Sequence, residues 1–302
     1  MSLLAFSEWT MDPVGHAVNH PFTQTADGIW IWSTQLGTLI LAGLITIGLG
    51  LWLARNVATG PESLGNDRYI TRNVFAHMIE VIAVYLRDEI IEPMLGPRTP
   101  KFIGFLWTLF FFILVNNLLG LIPVLDLIHL SNGHWRSNHI SPLGGTATQN
   151  LAVTMVLAII SGVVINVAGF TNLGVKGYFQ HMTGGVPMKP AFMPIIVMVF
   201  VIEVAGNLLI KPAALGIRLF ANMTAGHILL ATLFSFVILG LKQGLVVGVP
   251  VGIASVLGAI AVYFLELFVA FLQAFVFMFL TTVFISLLSH NEEHAHEPAG
   301  AM

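Results

Sequence analysis

The sequence has little charge and no cysteine. Of its 302 residues, 9% are charged and 56% are hydrophobic, and the mean hydropathy is +0.87. An ordinary soluble domain is about 25% charged, so this composition indicates an integral membrane protein. The lack of cysteine excludes disulfides, thiol chemistry and cysteine-ligated metal sites. The sequence also lacks a basic stripe and a Gly-rich phosphate loop, so we expect no nucleic-acid partner, no metal site and no cofactor.

Long apolar runs predict about five membrane crossings in a single membrane domain, residues 28–289. One crossing needs about 20 apolar residues. The predicted elements are helices at residues 28–54, 102–124, 147–170, 191–240 and 246–289, and a charged amphipathic helix at 70–95 that suits the cytoplasmic surface. The expected fold class is therefore an all-α integral membrane protein. Residues 171–190 are interpreted as an inner loop and residues 290–302 as a polar, disordered tail.

The last two apolar runs are too long for a simple crossing. At 1.5 Å per residue they would extend about 75 and 65 Å, whereas the hydrocarbon core is about 30 Å thick. We therefore predict that both helices are strongly tilted, bent or split. Pro212 is one natural place for a bend.

The distribution of lysine and arginine predicts the orientation. Residues 1–27, which we interpret as a retained segment and not as a cleaved signal, contain neither type, whereas residues 55–101 contain six. Short loops rich in lysine and arginine stay in the cytoplasm. The N-terminus is therefore expected outside the cytoplasm and the C-terminus, after five crossings, inside it.

Very few Asp, Glu, Lys or Arg residues interrupt the last two runs: Glu203, Lys211, Arg218, Lys242 and Glu266. A charge in mid-membrane costs about 2.5 to 3.5 kcal/mol on insertion scales, and arginine cannot lower that cost by losing its proton. Both lysines lie near segment ends, where snorkelling to the interface explains them. Arg218 must instead find water, a polar neighbour or a partner carboxylate.

A helical wheel divides the segment around Arg218 into two faces. Ala214, Arg218, Ala221 and Ala225 fall on one stripe of small side chains, which allows another helix to approach closely. His227 lies nine residues after Arg218, about 180° around the same helix. The arginine and the histidine are thus predicted to have different neighbours.

Polar residues of the last helix can reach this segment. Glu266 and Gln273 are seven residues apart and share one face. The glutamate could pair with His227, and the glutamine could bond Arg218 or Asn222. A purely structural polar cluster is the alternative. Earlier polar residues are open to the same two interpretations, helix-to-helix hydrogen bonding or a transport role: Asn116, Asn117 and Asn150.

Three stretches resemble a known family: KPAALGIRLFANMTAGHILL, ELFVAFLQAFVFMFLTTVFISL and NNLLGLIP. They are similar to subunit a of the rotary F-type ATP synthase, and the resemblance covers most of residues 70–289. It implies a non-catalytic stator subunit that forms two proton half-channels against a rotor ring of subunit c. It also implies peripheral-stalk subunit b and the rest of the complex as partners, a location in the cell inner membrane, and two long helices that lie steeply tilted around the ring.

The resemblance implies a role in proton translocation for six residues: Arg218, His227, Glu266, Gln273, Asn222 and Glu203. Arg218 would be the essential arginine that faces the ring, and His227 with Glu266 would line the outward half-channel. Glu203 departs from the pattern, because it lies eight residues before Lys211, one more than the family's usual spacing. A local helical bulge would restore its register.

Three other functions fit the residues. The same stator could work with Na⁺, since ion choice depends largely on the rotor. A secondary transporter would use Arg218 to bind an anionic substrate, but it would predict paired broken helices in both halves, which the sequence does not show. An inert scaffold would use its polar residues only to hold helices together.

Overall fold

The computed structural model describes residues 21–24, 30–57, 71, 73–122, 145–183 and 193–288. Most of the N-terminal segment 1–27, the tail 290–302 and part of the predicted inner loop 171–190 lie outside these described residues.

Helices form nearly all of the described chain. They are α1 (Thr34–Asn56), α2 (Val74–Tyr85), α3 (Glu92–Leu95), α4 (Thr99–Leu121), α5 (Leu151–Met182), α6 (Met193–Ala205), α7 (Lys211–Lys242) and α8 (Leu245–Leu287). π-helical segments join α2 to α3 and α6 to α7, and 3₁₀ turns precede α4 and α5: Leu86–Ile91, Gly206–Ile210, Gly96–Arg98 and Ala147–Gln149. The predicted helical fold class is confirmed.

Within the described residues, five helical stretches are long and apolar enough to cross a membrane: Thr34–Asn56, Val74–Leu121, Leu151–Val175, Met193–Gly240 and Leu245–Leu287. The predicted number of crossings is therefore confirmed.

The predicted surface helix and second crossing are separate helices, as expected. Asn73 caps the start of α2, where its side chain accepts hydrogen bonds from the N–H groups of Phe75 at 3.0 Å and Ala76 at 3.3 Å. Gly96 interrupts the helical path before α4 with a φ of 54°, a conformation that favours glycine. The position of α2 and α3 at the membrane surface stays a prediction.

The prediction of helix from residue 28 is wrong at its start. Trp30–Ser33 is a strand, β2, which pairs antiparallel with Pro21–Gln24, β1. Aromatic and β-branched residues are enriched in strands, where they pack against a partner strand. The Trp-Ile-Trp stretch extends here because β1 supplies that partner, so α1 begins only at Thr34.

The prediction of a loop from residue 171 is also wrong in its first part. The helix α5 continues to Met182, with one non-helical residue, Gly174 at φ 66°. The chain therefore bends at a glycine and resumes helical structure. Four apolar residues after the bend follow helical spacing: Val175, Tyr178, Phe179 and Met182.

The two overlong runs are helical, as predicted. The helix α8 alone has 43 residues, about 65 Å at 1.5 Å per residue. The run from α6 to α7 is interrupted by the π-helix Gly206–Ile210, which ends just before Lys211 and Pro212. The bend expected near Pro212, whose missing N–H donor favours a kink, stays a prediction. Tilt relative to the membrane stays a prediction.

The contacts divide the chain into two units. The first consists of residues 1–46, 111–154 and 217–274, and its interior contains both apolar and polar side chains: Ile113, Asn116, Asn117, Thr146, Thr148, Leu219 and Ala270.

The second unit consists of residues 47–110, 155–216 and 275–302. Its interior is mainly apolar: Leu106, Phe110, Ile165, Phe277, Met278 and Ile285. Within it, Trp107 Nε1 donates to the carbonyl of Ala83 at 3.1 Å, so α4 packs against α2. Of the predicted site residues, Glu203 belongs to this unit and the other five belong to the first.

Candidate functional site

The helix α7 has two faces of different character. Ala214, Arg218, Ala221 and Ala225 are all exposed, as the wheel predicts for a stripe of small residues. His227 is part-buried and contacts residues of other elements of its unit. The prediction that the arginine and the histidine have different neighbours is confirmed.

Arg218 has no partner within the part of the chain that the structure describes, where it makes no hydrogen bond, ion pair or ring contact. It lies inside the candidate span Met193–Gly240. A guanidinium cannot lower the free-energy cost of a charge at this position in the membrane by losing its proton. Arg218 is therefore a permanent positive charge on an accessible face, where the neighbouring alanines leave room for another molecule.

His227 and Glu266 form a pair on the other face. The Nδ1 atom of His227 lies 3.8 Å from Oε1 of Glu266, and Glu266 is 6% exposed. Neither carboxylate oxygen accepts a hydrogen bond from a described residue. The predicted pairing of these two residues is confirmed. A buried carboxylate without donors is suited to binding a proton or water.

Both ring nitrogens of His227 face carbonyl oxygens. Nδ1 lies 3.0 Å from the carbonyl of Met223, one turn earlier, and Nε2 lies 3.1 Å from the carbonyl of Gly120. The hydroxyl of Thr146 is also 3.2 Å from Nε2. A carbonyl can only accept, so only the doubly protonated ring donates to both carbonyls at once. The surroundings thus accommodate a charged imidazolium beside Glu266.

Amide side chains connect α7 and α4 to α8. Asn222 Nδ2 lies 3.4 Å from Gln273 Oε1 and donates to it, which confirms one of the predicted contacts of Gln273. Asn117 Nδ2 donates to the carbonyl of Ala270 at 3.2 Å. Thr148 donates to Asn117 Oδ1 at 2.9 Å. Hydrogen bonding between helices, one of the two interpretations of Asn117, is therefore confirmed.

Two glycines allow the close approach of the side chains in this cluster. A Cβ at Gly226 would lie 2.1 Å from Oε1 of Glu266, and one at Gly120 would lie 1.9 Å from Oγ1 of Thr146. Atoms do not approach that closely, so any larger residue would displace Glu266 or Thr146. The sequence alone did not identify these two glycines, and it did not identify Thr146 or Thr148. The polar stretch GTATQN before an apolar run is a signal that could have found Thr146 and Thr148.

Glu203 lies on a polar ladder in the second unit. Asn207 Nδ2 donates to Glu203 Oε2 at 3.2 Å, and Lys211 Nζ donates to Asn207 Oδ1. The π-helix Gly206–Ile210 lies between Glu203 and Lys211. A π-helical turn accommodates one extra residue, so the bulge predicted from the eight-residue spacing is confirmed.

The lysine of this ladder also contacts an aromatic ring. Lys211 Nζ lies 5.2 Å from the centroid of Phe284, within cation–π range. Among the described residues, no group of three or more His, Asp or Glu is placed to hold a metal ion. The arrangement offers proton-binding and hydrogen-bonding groups.

The chain is similar to proteins of one family. The family described as ATP synthase A chain matches residues 36–286. The chain is 40% identical over 257 residues to ATP synthase subunit a of Myxococcus xanthus, an alignment that covers 82% of the chain and 74% of the relative. It is 38% identical over 229 residues to ATP synthase subunit a of Chlorobium phaeobacteroides, covering 75% of the chain and 58% of that relative.

A third relative aligns over more of the chain. ATP synthase subunit a of Pelodictyon phaeoclathratiforme is 35% identical over 274 residues, which cover 90% of the chain and 67% of the relative. The chain thus spans between 58% and 74% of the length of these three curated relatives.

Proposed function

The chain belongs to the ATP synthase A chain family, and from that premise we propose that it is the stator subunit of the membrane sector of ATP synthase. In this role it provides two proton half-channels against a rotor ring of subunit c and couples proton flow to rotation of the ring. It makes no covalent bond itself. Subunit b of the peripheral stalk and the rest of the complex are its other partners.

The division of α7 into two faces carries this proposal. Arg218 is exposed among alanines, and within the described residues it has no partner. A carboxylate of the rotor that has just lost its proton is stabilised by a fixed positive charge within about 4 to 6 Å. Arg218 therefore holds the rotor site in its ionised form between the half-channels and blocks a direct proton leak.

The outward half-channel ends at the opposite face of α7. His227 and Glu266 bind and release protons there at a separation of 3.8 Å. Asn222 and Gln273, which lie within hydrogen-bond distance of each other, extend the polar path towards the arginine, since Asn222 is one turn from Arg218 on α7. Of these four side chains, His227 and Glu266 bind and release protons, whereas the amides of Asn222 and Gln273 only donate and accept hydrogen bonds along the path.

The inward half-channel uses the polar ladder of the second unit. Glu203 is its proton-binding group, and Asn207 links that carboxylate to Lys211. The π-helical segment brings these three side chains into one line. Glu203 thus serves the inward half-channel, although it lies eight residues before Lys211, one more than the family's usual spacing.

The membrane potential drives the coupling. Each elementary charge that crosses 100 mV releases about 2.3 kcal/mol. The five crossings and the lysine and arginine distribution support a multi-pass location in the cell inner membrane, with the N-terminus outside the cytoplasm and the C-terminus inside.

Substitution of Arg218 in the assembled complex tests the function. We expect Arg218→Lys and Arg218→Ala to abolish proton-driven ATP synthesis, because lysine lacks the permanent, forked charge of arginine, and alanine lacks any charge. ATP hydrolysis by the complex should continue without proton pumping. Lys242→Ala, at the exposed end of α7, is the control and should keep synthesis.

The assay separates the proposal from its alternatives. ATP synthesis by the Arg218→Ala complex at the wild-type rate would contradict it and favour an inert scaffold. Substrate uptake by the purified chain alone in liposomes would favour a secondary transporter instead.

A further inference from the structure

Thr146 occupies the cap position of a 3₁₀ turn but does not use its side chain as a cap. The turn covers Ala147–Gln149, and the backbone carbonyl of Thr146 accepts from the N–H of Gln149 at 3.0 Å. A threonine at such a position commonly bonds the backbone with its hydroxyl. Here the hydroxyl lies 3.2 Å from Nε2 of His227, and Thr146 is completely buried.

Neighbouring contacts fix the position of this hydroxyl. Thr148, two residues later, donates to Asn117 on α4 at 2.9 Å, and Asn117 donates to the carbonyl of Ala270 on α8 at 3.2 Å. Gly120 leaves the space into which the Thr146 side chain fits, since a Cβ there would lie 1.9 Å from Oγ1 of Thr146. The threonine is therefore held between α4 and α7 within the first unit.

Two different groups share the Nε2 atom of His227. The carbonyl of Gly120, at 3.1 Å, can only accept a hydrogen bond. The hydroxyl of Thr146 can also donate one. The carbonyl of Met223, at 3.0 Å from Nδ1, can only accept a hydrogen bond and so favours a proton on that nitrogen. A charged ring donates from Nε2 to Gly120, whereas a neutral ring needs a donor at Nε2, and Thr146 supplies it.

We propose that Thr146 is a positioning residue that stabilises the neutral form of His227 by donating a hydrogen bond to Nε2. The ring then alternates between a neutral and a charged state, and both of its nitrogens are hydrogen-bonded in each state. When a proton binds at Nε2, the bond from the Thr146 hydroxyl to the ring breaks, and a bond from Nε2–H to the Gly120 carbonyl forms. When the same proton leaves, these changes reverse. This inference deepens the proposed function and rests on it, because the cycle matters only if His227 carries protons.

The other charged and titratable groups near His227 come from α8. Glu266 lies 3.8 Å from Nδ1, and Tyr263, one turn earlier, donates its phenol to the carbonyl of Leu121 at 3.3 Å. The described contacts from α4 and from the Thr146 segment are carbonyl, amide and hydroxyl groups. On α7, Arg218 lies on the opposite face. Thr146 therefore contacts the His227 ring at Nε2, whereas Glu266 lies beside Nδ1.

Thr146→Val tests the proposal in the assembled complex. Valine keeps the shape of threonine but cannot donate, so the neutral ring loses one hydrogen bond. Such a bond changes an equilibrium about fivefold, which corresponds to about 0.7 pH unit. In proteoliposomes, the acidic limb of the pH profile of proton-driven ATP synthesis should therefore move upward by about 0.7 pH unit. Thr146→Ser, which keeps the hydroxyl, should retain the wild-type profile.

A matched control separates this effect from a general loss of packing. Thr154 is also completely buried, but its hydroxyl donates to the carbonyl of Leu151 in its own helix. Thr154→Val should leave the pH profile unchanged. If Thr146→Val assembles poorly, Thr146→Ala provides a smaller side chain without a donor and should give the same upward shift.

The outcomes distinguish this inference from the proposed function. A Thr146→Val or Thr146→Ala profile that superimposes on the wild-type profile overturns the inference, even if Arg218→Ala is inactive. Equal shifts in Thr146→Val and Thr154→Val also overturn it, because packing would then be the cause. Synthesis by the Arg218→Ala complex would instead remove the proposed function.

Discussion

Arg218 and Glu266 are both ionisable groups in apolar helices, but they differ in exposure and in their neighbours. Glu266 is 6% exposed and lies 3.8 Å from an imidazole of the same unit. Arg218 is exposed on the same stripe of α7 as Ala214, Ala221 and Ala225. A carboxylate and an imidazole can exchange a proton, whereas a guanidinium keeps its own. The first pair is therefore suited to carrying protons and the arginine to fixing a charge.

Substitution of Gly226 tests whether proton transport depends on the position of the Glu266 side chain. A Cβ at Gly226 would lie 2.1 Å from Oε1 of Glu266, so Gly226→Ala must displace the carboxylate from His227. We expect at least a tenfold loss of proton-driven ATP synthesis with ATP hydrolysis retained, since about 1.4 kcal/mol in a proton-binding step changes a rate tenfold.

Another glycine provides the control for this substitution. Gly104, in α4, is exposed, and a Cβ there would enter open space, with no described atom of another helix within 4 Å. Gly104→Ala should therefore leave synthesis unchanged. Wild-type synthesis in Gly226→Ala would mean that the position of Glu266 is not critical.

At the scale of the helix, the π-helical segment Gly206–Ile210 determines the side to which Glu203 points. Eight residues of regular α-helix would rotate Glu203 by about 80° relative to Lys211. The extra residue of the π-helix removes about 100° of that rotation, so the two side chains share one line with Asn207 between them.

Deleting Leu209 tests this register. Leu209 is 68% exposed, so its removal costs little packing. The deletion leaves seven residues of regular helix, which keep Glu203 within about 20° of the same line. We expect ATP synthesis to be retained.

Inserting an alanine after Leu209 is the opposite change. It adds a second extra residue and rotates Glu203 by about 100°, so synthesis should be lost. If the deletion abolished synthesis while Leu209→Ala did not, the alignment of the ladder would not be the property that matters.

The lengths of the apolar runs predict how many helices cross the membrane, but they do not predict the residues at which those helices begin and end. Run length predicts five crossings because each crossing must match the bilayer. The strand Trp30–Ser33 depends on pairing with Pro21–Gln24, and the apolar pattern of residues 30–33 alone does not distinguish it from helix. The helix beyond Gly174 is not predicted because two lysines, a Gly-Gly pair and a proline between residues 176 and 189 indicate a turn, although the apolar residues up to Met182 follow helical spacing.

Only part of the candidate site can likewise be predicted from the sequence. Spacing predicts the two faces of α7 and the partners of Glu266 and Gln273, because regular helices convert spacing into direction. Thr146 and Gly120 reach His227 across 81 and 107 residues of sequence. Such contacts depend on the packing of several helices, so helical spacing within α7 does not predict them.

At the scale of the whole molecule, the distribution of the few charged residues predicts the orientation in the membrane. The chain has 12 lysine and arginine residues, and six of them lie between residues 55 and 101. This asymmetry predicts that the loop between the first two crossings is cytoplasmic. The connection between α7 and α8, around Gln243, then lies outside the cytoplasm.

The lack of cysteine makes this orientation directly measurable. Glu92 and Gln243 are both exposed, and Glu92→Cys and Gln243→Cys each create a single thiol in a chain that otherwise has none. A membrane-impermeant maleimide added to spheroplasts should label Gln243→Cys and leave Glu92→Cys unlabelled. Inverted vesicles should give the reverse pattern, and the unchanged chain should remain unlabelled in both.

The labelling result also decides which half-channel each cluster serves. Glu203 lies in the first part of the run Met193–Gly240, and His227 lies in its last part. If the run begins at the cytoplasmic side, the His227–Glu266 pair opens outward and the Glu203 ladder opens inward. Labelling of Glu92→Cys in spheroplasts would reverse both assignments. The pH shift expected for Thr146→Val would then follow the cytoplasmic pH and not the external pH.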